Sequence, residues 1–373
     1  MTSDRIGLAV VGSGAIGRIR AELARETVAV DWLGVCDIDE AVARSVAADT
    51  EADFVTTDFR ELLARPEVTA VIIATDENQH VEPILAAVEL GVPLFIEKPL
   101  AADLADSARV LKAIEDNDID AVVGYTQRFR RRFQTVKQRL RDGQIGEVTS
   151  VVTRAFMNRM VPISTLAKTD LRDNLTPMVV SGTHSLDMCM WLMEGKTPVE
   201  VYARSIDTVL HDIGTKDATF GVFTMDDGTL WSMNINWALP VVWPGAVYGL
   251  EIGIVGTRGV IDIEDTHRDV IVASEIPQPT QHRHVEGSTD LQAGRHVDFI
   301  GSYPPGDVSD GMLWGPMREE TLTWFNRLTK GVKTPHVTAA DGHRNLMLTM
   351  AMDLSARTGK PVLLPLKADE PLV

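Results

Sequence analysis

The chain has 373 residues, more than one ordinary domain holds, and its length predicts two domains. Its 45% hydrophobic and 24% charged residues are typical of a globular protein in water. The formal net charge of −17 argues against nucleic acid and anionic membrane surfaces as partners. Two cysteines without metal-ligand spacing and the lack of a long apolar run favour the cytoplasm.

The chain opens with an apolar run, Ile6–Val11, that ends in the turn Gly12-Ser-Gly14-Ala-Ile-Gly17. In such a G-x-G-x-x-G turn, the first glycine permits a tight turn and the second lets the backbone approach a pyrophosphate. The third lets a helix pack on the strand. Asp37 follows a second apolar run about 20 positions later, where an acidic residue meets the adenosine ribose hydroxyls. The pair predicts a dinucleotide-binding domain; the alternative is a glycine turn that binds no nucleotide.

Strand-like and helix-like segments alternate as far as Gly124, which predicts a parallel sheet covered on both faces. Ligands bind beyond the carboxyl ends of such strands, so Gly12, Asp37, Thr75 and Glu97 are expected to line one crevice. The predicted strands are Ile6–Val11, Val30–Cys36, Ala70–Ala74, Leu94–Ile96 and Ala121–Gly124. The predicted helices are Ala15–Arg25, Ala41–Ala48, Val81–Leu90 and Leu104–Asn117.

After Gly124 a basic helix, Phe129–Arg141, and a helical stretch, Pro177–Met193, precede β-rich segments separated by turn signals. These segments are Val199–Ser205, Asp217–Thr224, Leu230–Trp237, Leu250–Val255, Gly259–Glu264 and Val270–Ala273, and two helices, Met317–Leu328 and Ala339–Thr358, end the chain. The sequence therefore predicts an α/β protein with a Rossmann domain over residues 1–124. An α+β domain on a largely antiparallel open sheet is predicted over residues 125–373, with the site between the two domains.

Lys98 is the first candidate for chemistry. It stands in Glu97-Lys98-Pro99, directly after a predicted strand, and the proline stops the strand and favours an extended backbone before it. A partly desolvated lysine beside a positively charged nicotinamide has a lowered pKa and can exchange a proton with a hydroxyl. The alternative is a surface lysine in an ordinary loop.

His184 is the second candidate. His184, Asp187 and Trp191 are spaced i, i+3 and i+7, so they share one face of the predicted helix. A histidine that lines a cleft can exchange a proton with a substrate hydroxyl, and Asp187 would orient its ring. The alternative is a buried histidine bonded to a carboxylate for packing.

Substrate contacts are expected from the polar stretch that contains Arg154 and Asn158, since an arginine there would hold a carboxylate or bridge hydroxyls. The alternative is a solvated loop. Trp237 shares a strand face with Trp231 and either packs in the core or forms the floor of the substrate site. No metal is expected, because the histidines of the loop 277–315 match no common ligand spacing: His282, His284 and His296.

An ordered set of motifs resembles the glucose–fructose oxidoreductase / inositol dehydrogenase / rhizopine catabolism (Gfo/Idh/MocA) family over nearly the whole chain. The motifs are Gly12–Gly17, Asp37, Glu97-Lys98-Pro99, Tyr125-Thr-Gln-Arg128-Phe129, Gly182-Thr-His184-Ser-Leu-Asp187, Val255-Gly-Thr-Arg-Gly259 and Gly359–Pro365. The resemblance implies NAD(P)-dependent oxidation or reduction of sugars, polyols or other cyclic alcohols. It also implies a C-terminal sheet that mediates oligomers, and it places the family's lysine at Lys98 and its helix histidine at His184.

The resulting hypothesis is hydride transfer between NAD and a secondary alcohol or ketone, with Lys98 and His184 as catalytic residues. NAD is preferred to NADP because Asp37 repels a 2′-phosphate and no arginine follows it. The predicted cofactor-binding residues are Gly12, Gly14, Ala15, Ile16, Gly17, Asp37, Ile38, Thr75, Asp76, Asn78, His80, Glu97, Lys98 and Gln127. The predicted substrate-binding residues are Lys98, Tyr125, Arg128, Arg154, Asn158, His184, Asp187 and Trp237.

Two positions depart from the family pattern. Val180 stands one helical turn before His184, where the family often has aspartate, and Asp76 stands where proline is usual. Two alternative functions stay open: glycoside cleavage through transient oxidation by tightly held NAD, and a non-enzymatic sugar or nucleotide sensor. An apolar sheet face with Trp231, Val247 and Ile252 is expected to need a partner, giving a homodimer or homotetramer.

Overall fold

The computed structural model describes residues 5–166, 175–245, 247–264, 270–276, 296–300 and 305–366. The chain divides into two compact units. The first unit runs to Thr126 and includes Met317–Arg344, and the second contains Gln127–Pro316 and the chain from Asn345 onwards. No helix in these described ranges is long and apolar enough to cross a membrane.

The first unit is built on a seven-stranded sheet that is parallel except for one short edge strand. Its strands, in order across the sheet, are Val337–Thr338, Ala121–Gly124, Leu94–Glu97, Ala70–Ile73, Ile6–Val11, Val30–Cys36 and Phe54–Thr56. Its helices are Ala15–Arg25, Glu40–Thr50, Phe59–Leu63, Val81–Leu90, Leu104–Asp116 and Pro316–Lys330. The strand Ile6–Val11 is buried along its whole length, as a parallel sheet covered on both faces requires. The predicted Rossmann-type fold is confirmed.

Aspartates begin several of these helices and explain why the chain turns where it does. Asp39 accepts hydrogen bonds from the backbone amides of Ala41 and Val42 at the start of its helix. Asp58 and Asp103 each accept from a backbone amide in the first turn of the helix that follows them. Because the strands are parallel, their carboxyl ends meet at one edge of the sheet. That edge carries Gly12, Asp37, Thr75 and Glu97.

The segment Met317–Arg344 is a correction to the predicted domain division, which placed it with the second domain. Trp324 and Phe325 of its first helix are buried in the core of the first unit. The Trp324 ring packs edge-on against Phe95, with ring centroids 5.5 Å apart. The physical reason is burial against a strand more than two hundred positions earlier, which no local pattern reports.

The second unit is built on a seven-stranded sheet in which all neighbours are antiparallel except one pair. Its strands, in order, are Gly259–Ile263, Val247–Gly256, Val148–Asn158, Leu230–Leu239, Ala218–Met225, Pro198–Ile206 and Val362–Leu363. Two small strand pairs are added, Val270–Ala273 with Val297–Ile300 and Asp307–Ser309 with Met312–Trp314. Helices in the described part of this unit include Arg131–Arg141, Met160–Leu166 and Thr183–Leu192, while Ala339–Thr358 begins in the first unit.

The predicted apolar sheet face is wrong in its residues. Trp231, Val247 and Ile252 are at most 4% exposed and lie in the core. The other face of this sheet, which the described residues leave uncovered, carries large apolar side chains that are between 39% and 56% exposed: Val152, Tyr202, Phe220 and Val222. Alternate residues of a strand point to opposite faces, and only the register of neighbouring strands decides which set is covered.

Candidate active site

Of the three glycines of the turn Gly12–Gly17, only Gly14 faces open space. Gly12 has φ +89°, and a Cβ there would lie 2.5 Å from the backbone of Ala74 and Thr75. A Cβ on Gly17 would lie 1.8 Å from the carbonyl oxygen of Gly12, whereas Gly14 has nothing within 4 Å. The first and third glycines therefore bring strand, turn and helix together, and the second leaves the helix N-terminus open to an anion.

The Asp37 carboxylate is held against this turn. The Ser13 amide donates to its Oδ2 at 2.8 Å, and the Asp39 amide donates to its Oδ1 at 3.0 Å. The Ser13 hydroxyl donates to the carbonyl oxygen of Cys36 at 3.2 Å. Ile38, the next residue, is exposed and brings no positive charge. The residues present therefore fit a dinucleotide, with the carboxylate beside the turn where ribose hydroxyls are read.

Three further predicted cofactor residues follow the strand Ala70–Ile73: Thr75 is partly exposed, and Asp76 and Asn78 are exposed. His80 differs, since it is 1% exposed and its ring lies between two backbone carbonyls. Its Nδ1 is 2.8 Å from the Pro99 oxygen and its Nε2 is 3.1 Å from the Thr75 oxygen. Burial lowers the pKa of His80 despite these hydrogen bonds. His80 thus joins two strand ends.

Glu97 and Lys98 follow one another at the end of the strand Leu94–Glu97, and both are partly exposed. The Lys98–Pro99 peptide bond is cis. The Glu97 carboxylate is bound by the fully buried guanidinium of Arg20, whose Nε and Nη2 donate to Oε1 at 2.9 and 2.7 Å. Sequence reasoning missed Arg20; its only signal was a charged residue on the apolar face of the first helix.

In the second unit, His184 lies on an irregular helix. Met178–Gly182 forms a π-helical turn, and the α-helix Thr183–Leu192 continues from it. Within Thr183–Leu192, every residue is buried except His184 and Trp191, which are partly exposed. π-turns are frequent at functional sites because they shift side chains relative to a regular helix. The helix therefore presents His184 on its accessible face.

The Asp187 carboxylate binds Arg128 and Asn345 and does not orient the His184 ring as predicted. Its Oδ1 accepts from Arg128 Nη2 at 2.7 Å and from Asn345 Nδ2 at 2.8 Å, and its Oδ2 accepts from Arg128 Nε at 2.8 Å. Asp187 and Arg128 are at most 4% exposed. The pair, predicted to bind substrate, is a buried bidentate ion pair that joins Arg128 to the buried side of the helix that carries His184. Asn345 was missed because it comes from the last long helix.

Arg154 is not brought together with His184. It alternates with Thr153 and Ala155, which are buried, and so lies on the uncovered sheet face, where it pairs with Glu251 and its guanidinium lies 5.5 Å from the Phe156 ring. The helix with His184 contacts the other face, since the buried Trp237 donates to Ser181 Oγ at 2.9 Å. The polar stretch around Arg154, for which a solvated loop was the alternative, is a central strand.

Four further predicted residues are buried. Asn158 is fully buried, and its amide nitrogen donates to the carbonyl oxygens of Pro240 and Trp243 at 3.3 and 3.0 Å. Its Oδ1 accepts from the Met160 amide at 3.0 Å, so it organises a loop. The other three, at most 3% exposed, are Tyr125, Gln127 and Trp237. The described residues hold no cluster of three His, Cys, Asp or Glu suited to a metal, and His282 and His284 lie outside them.

Val180 occupies an apolar surrounding. It is 8% exposed and belongs to a core cluster with Leu166, Leu175, Leu210 and Trp237. The side chain one turn before His184 is therefore apolar and packs among apolar neighbours. The departure from the family pattern is built into the packing of this cluster.

Comparisons with known proteins identify the family of both parts of the chain. A family model described as "Oxidoreductase family, NAD-binding Rossmann fold" matches residues 6–125, and the "GFO/IDH/MocA C-terminal domain" matches residues 133–262. Inositol 2-dehydrogenase of Gluconacetobacter diazotrophicus is 32% identical over 51% of this chain, a match that spans about half, 55%, of that protein. The enzyme of the same name from Rubrobacter xylanophilus is 27% identical over 96% of this chain and 93% of its own.

Among solved structures, scyllo-inositol dehydrogenase from Lactobacillus casei, with bound NAD(H) and scyllo-inositol, shares the fold. It has a TM-score of 0.74 and 19% identity, and the match covers 96% of this chain and 99% of that one. The two family models together span more than half of the chain. The chain therefore belongs to the GFO/IDH/MocA family of oxidoreductases, with an NAD-binding Rossmann domain.

Proposed function

We propose that the protein is an NAD-dependent dehydrogenase that oxidises a secondary alcohol of a cyclic polyol, an inositol being the first candidate. The observation that carries this proposal is the Asp37 carboxylate, fixed beside an open glycine turn by the Ser13 amide at 2.8 Å. The names of the two inositol 2-dehydrogenase relatives support the polyol as substrate class. The reverse reaction, reduction of a ketone, uses the same groups.

In this proposal the cofactor site of the first unit has defined tasks. Bound NAD supplies the hydride acceptor. The amides at the start of the helix Ala15–Arg25 hold its pyrophosphate, and Asp37 accepts hydrogen bonds from the adenosine ribose. Asp37 also repels the 2′-phosphate of NADP, and the exposed Ile38 supplies no charge to neutralise that phosphate.

We propose that Lys98 and His184 handle the proton of the reacting hydroxyl. A lysine amine that loses its proton accepts the hydroxyl proton as hydride leaves the carbon, and a histidine polarises the same oxygen. Asp187 takes no part in this proton transfer in our proposal, because its carboxylate is bound by Arg128 and Asn345. Of the predicted substrate ligands, Lys98, Arg154 and His184 are partly exposed. Arg154 lies on the sheet face opposite to the helix that carries His184, which leaves Lys98 and His184 as the candidates for the proton.

The proposal is tested by NADH fluorescence with a panel of inositols, sugars, sugar acids and cyclic diols. Net NADH formation with an inositol or another cyclic polyol is expected. Release of an aglycone from a glycoside without net NADH would favour transient oxidation instead. Binding of a sugar without turnover anywhere in the panel would favour a sensor. Either result would contradict the dehydrogenase.

We also propose that the protein forms a homodimer or homotetramer through the uncovered face of its second sheet. Exposed apolar side chains on one face of this sheet support this, because a monomer seldom leaves so many together: Val152, Tyr202, Phe220 and Val222. A cytoplasmic location is proposed with it, supported by Cys36 and Cys189, which are both buried and free of disulfides.

A further inference from the structure

Arg20 is the centre of a buried polar cluster in the first unit. It follows the glycine turn on the helix Ala15–Arg25, and its side chain is fully buried. Its Nη2 donates to Glu97 Oε1 at 2.7 Å and to Glu320 Oε2 at 2.6 Å, so one nitrogen joins two carboxylates. The guanidinium lies 4.3 Å from the centre of the Phe95 ring. A buried charge needs such partners, and here they hold it in one orientation.

The helix Pro316–Lys330 supplies the rest of the cluster. Arg20 Nη1 donates to the Thr321 hydroxyl and, at 3.4 Å, to the carbonyl oxygen of Met317. Glu320 and Thr321 are both fully buried. The planar fork of Arg20 therefore binds a strand end on one side and a helix on the other. A lysine keeps the charge but cannot reproduce this fork.

We propose that Arg20 and Glu320 are positioning residues for the reaction: they hold the Glu97 carboxylate, and with it the strand end from which Lys98 follows. The inference rests on the proposed function of Lys98. Glu97 is the last residue of the strand Leu94–Glu97, so a change in its side-chain anchor moves the neighbouring backbone. Displacement of a reacting group by about 1 Å can lower a rate by about 100-fold.

The charges around the cluster support a role beyond simple packing. The pKa of Glu320 is raised to about 7, because burial and the neighbouring Glu97 carboxylate raise it more than Arg20 lowers it. His336 is a titratable neighbour of Glu320, and its Nε2 lies 3.1 Å from the Glu320 carbonyl oxygen. Burial lowers the pKa of His336 to about 3, so this ring is neutral. Near neutral pH, Arg20 is thus shared between Glu97 and a carboxyl group that is only partly ionised.

The test compares three variants that keep the size of the side chain. Arg20→Lys removes the fork, Glu320→Gln removes one anion and keeps an acceptor, and Arg327→Lys is the matched control. Arg327 lies on the same helix as Glu320 and binds Asp120 at 2.6 Å, away from Glu97. We expect kcat to fall about tenfold or more in Arg20→Lys, by less in Glu320→Gln, and not in the control. The Kd of NAD should stay within about threefold in all three.

A second readout does not depend on turnover. The amine of Lys98, carrying ¹³C-methyl groups and assigned by comparison with Lys98→Arg, is titrated by NMR in the protein without substrate. Removal of the Glu320 anion should lower the pKa of Lys98, while Arg327→Lys should leave it unchanged. Thermal unfolding shows whether each variant is folded.

An unchanged kcat in folded Arg20→Lys, or an equal loss of NAD affinity and kcat, would overturn the inference. So would a Lys98 pKa that responds equally to Glu320→Gln and Arg327→Lys. Failure of the proposed function has a different result: no polyol gives NADH with the wild-type protein, or Lys98→Met leaves turnover intact, whatever the Lys98 titration shows.

Discussion

Lys98 directly follows Glu97, whose carboxylate is bound by the buried guanidinium of Arg20. This contact distinguishes Lys98 from a lysine in a loop without such an anchor. Lys98→Met keeps the apolar stem and removes the proton carrier. We expect turnover to fall by about 10²- to 10⁴-fold, the range for a general acid or base. The Kd of NAD, measured by titration, should change little. Turnover within a few-fold of wild type would reduce Lys98 to a neighbour of the cofactor.

We expect Asp37 to decide the choice between the two nicotinamide cofactors. Its carboxylate is fixed by the amides of Ser13 and Asp39, so it cannot swing away from a 2′-phosphate without losing both bonds. We expect NAD to bind much more tightly than NADP. Asp37→Ser combined with Ile38→Arg should shift the preference toward NADP, since it replaces a repelling anion with a cation. Equal Kd values for the two cofactors in the wild type would contradict this assignment.

Val180 is the residue where the family's expected acid is absent. Because Val180 is buried with Leu175, Leu210 and Trp237, Val180→Asp should not raise activity. A carboxylate placed there without a partner should lower the free energy of unfolding by about 3 kcal/mol. Val180→Asn is the matched control, with the same shape and no charge, and should cost less. Denaturant unfolding measures both, and a gain in turnover by Val180→Asp would show that the acid is tolerated and useful.

At the scale of elements, the helix Pro316–Lys330 brings a titrating acid into the core of the first unit. The pKa of Glu320 is about 7 in the folded protein, above the value of 4.5 for an exposed glutamate. The unfolded chain therefore releases this proton first, and stability decreases as the pH rises from about 4.5 through 7. Below that range Glu320 is protonated in both the folded and the unfolded state, so this group no longer makes stability depend on pH.

This dependence is isolated by comparing the wild type with Glu320→Gln. We expect the Tm of the wild type, relative to that of the variant, to fall between pH 5 and pH 8, and to level off above the folded-state pKa. The subtraction removes the contributions of other groups. A difference in Tm that stays constant across this range would show that Glu320 is already ionised at pH 5.

A comparison of the strands and helices shows which sequence patterns were sufficient to predict them. The strands Ile6–Val11 and Val30–Cys36 and the helix Val81–Leu90 occur as predicted, because continuous apolar runs and amphipathic helices are local signals. The strand Val148–Asn158 was missed, although it is central to its sheet. Its outward face carries polar Ser150 and Arg154 beside Val152, so the alternation resembled a solvated loop.

For the whole molecule, assembly through the uncovered sheet face is the main expectation. We expect sedimentation at micromolar concentration to show a dimer or tetramer in place of a 40.9 kDa monomer. Val222→Lys, on that face, should raise the dissociation constant by about tenfold or more, since it would bury a charge. Val28→Lys is the control, because Val28 is 95% exposed in the first unit. A wild type that is monomeric throughout would contradict the proposal.

The sequence by itself determined the Rossmann domain, its glycine turn with Asp37, and the positions of Lys98 and His184, because each depends on spacing within a short stretch. Only the tertiary structure decided what surrounds them. The contacts of Arg20 with Glu320, and of Asp187 with Asn345, join residues far apart in the chain. Which face of a strand is buried likewise depends on the register of its neighbours. Such contacts arise from packing between distant segments, and local periodicity contains no record of them.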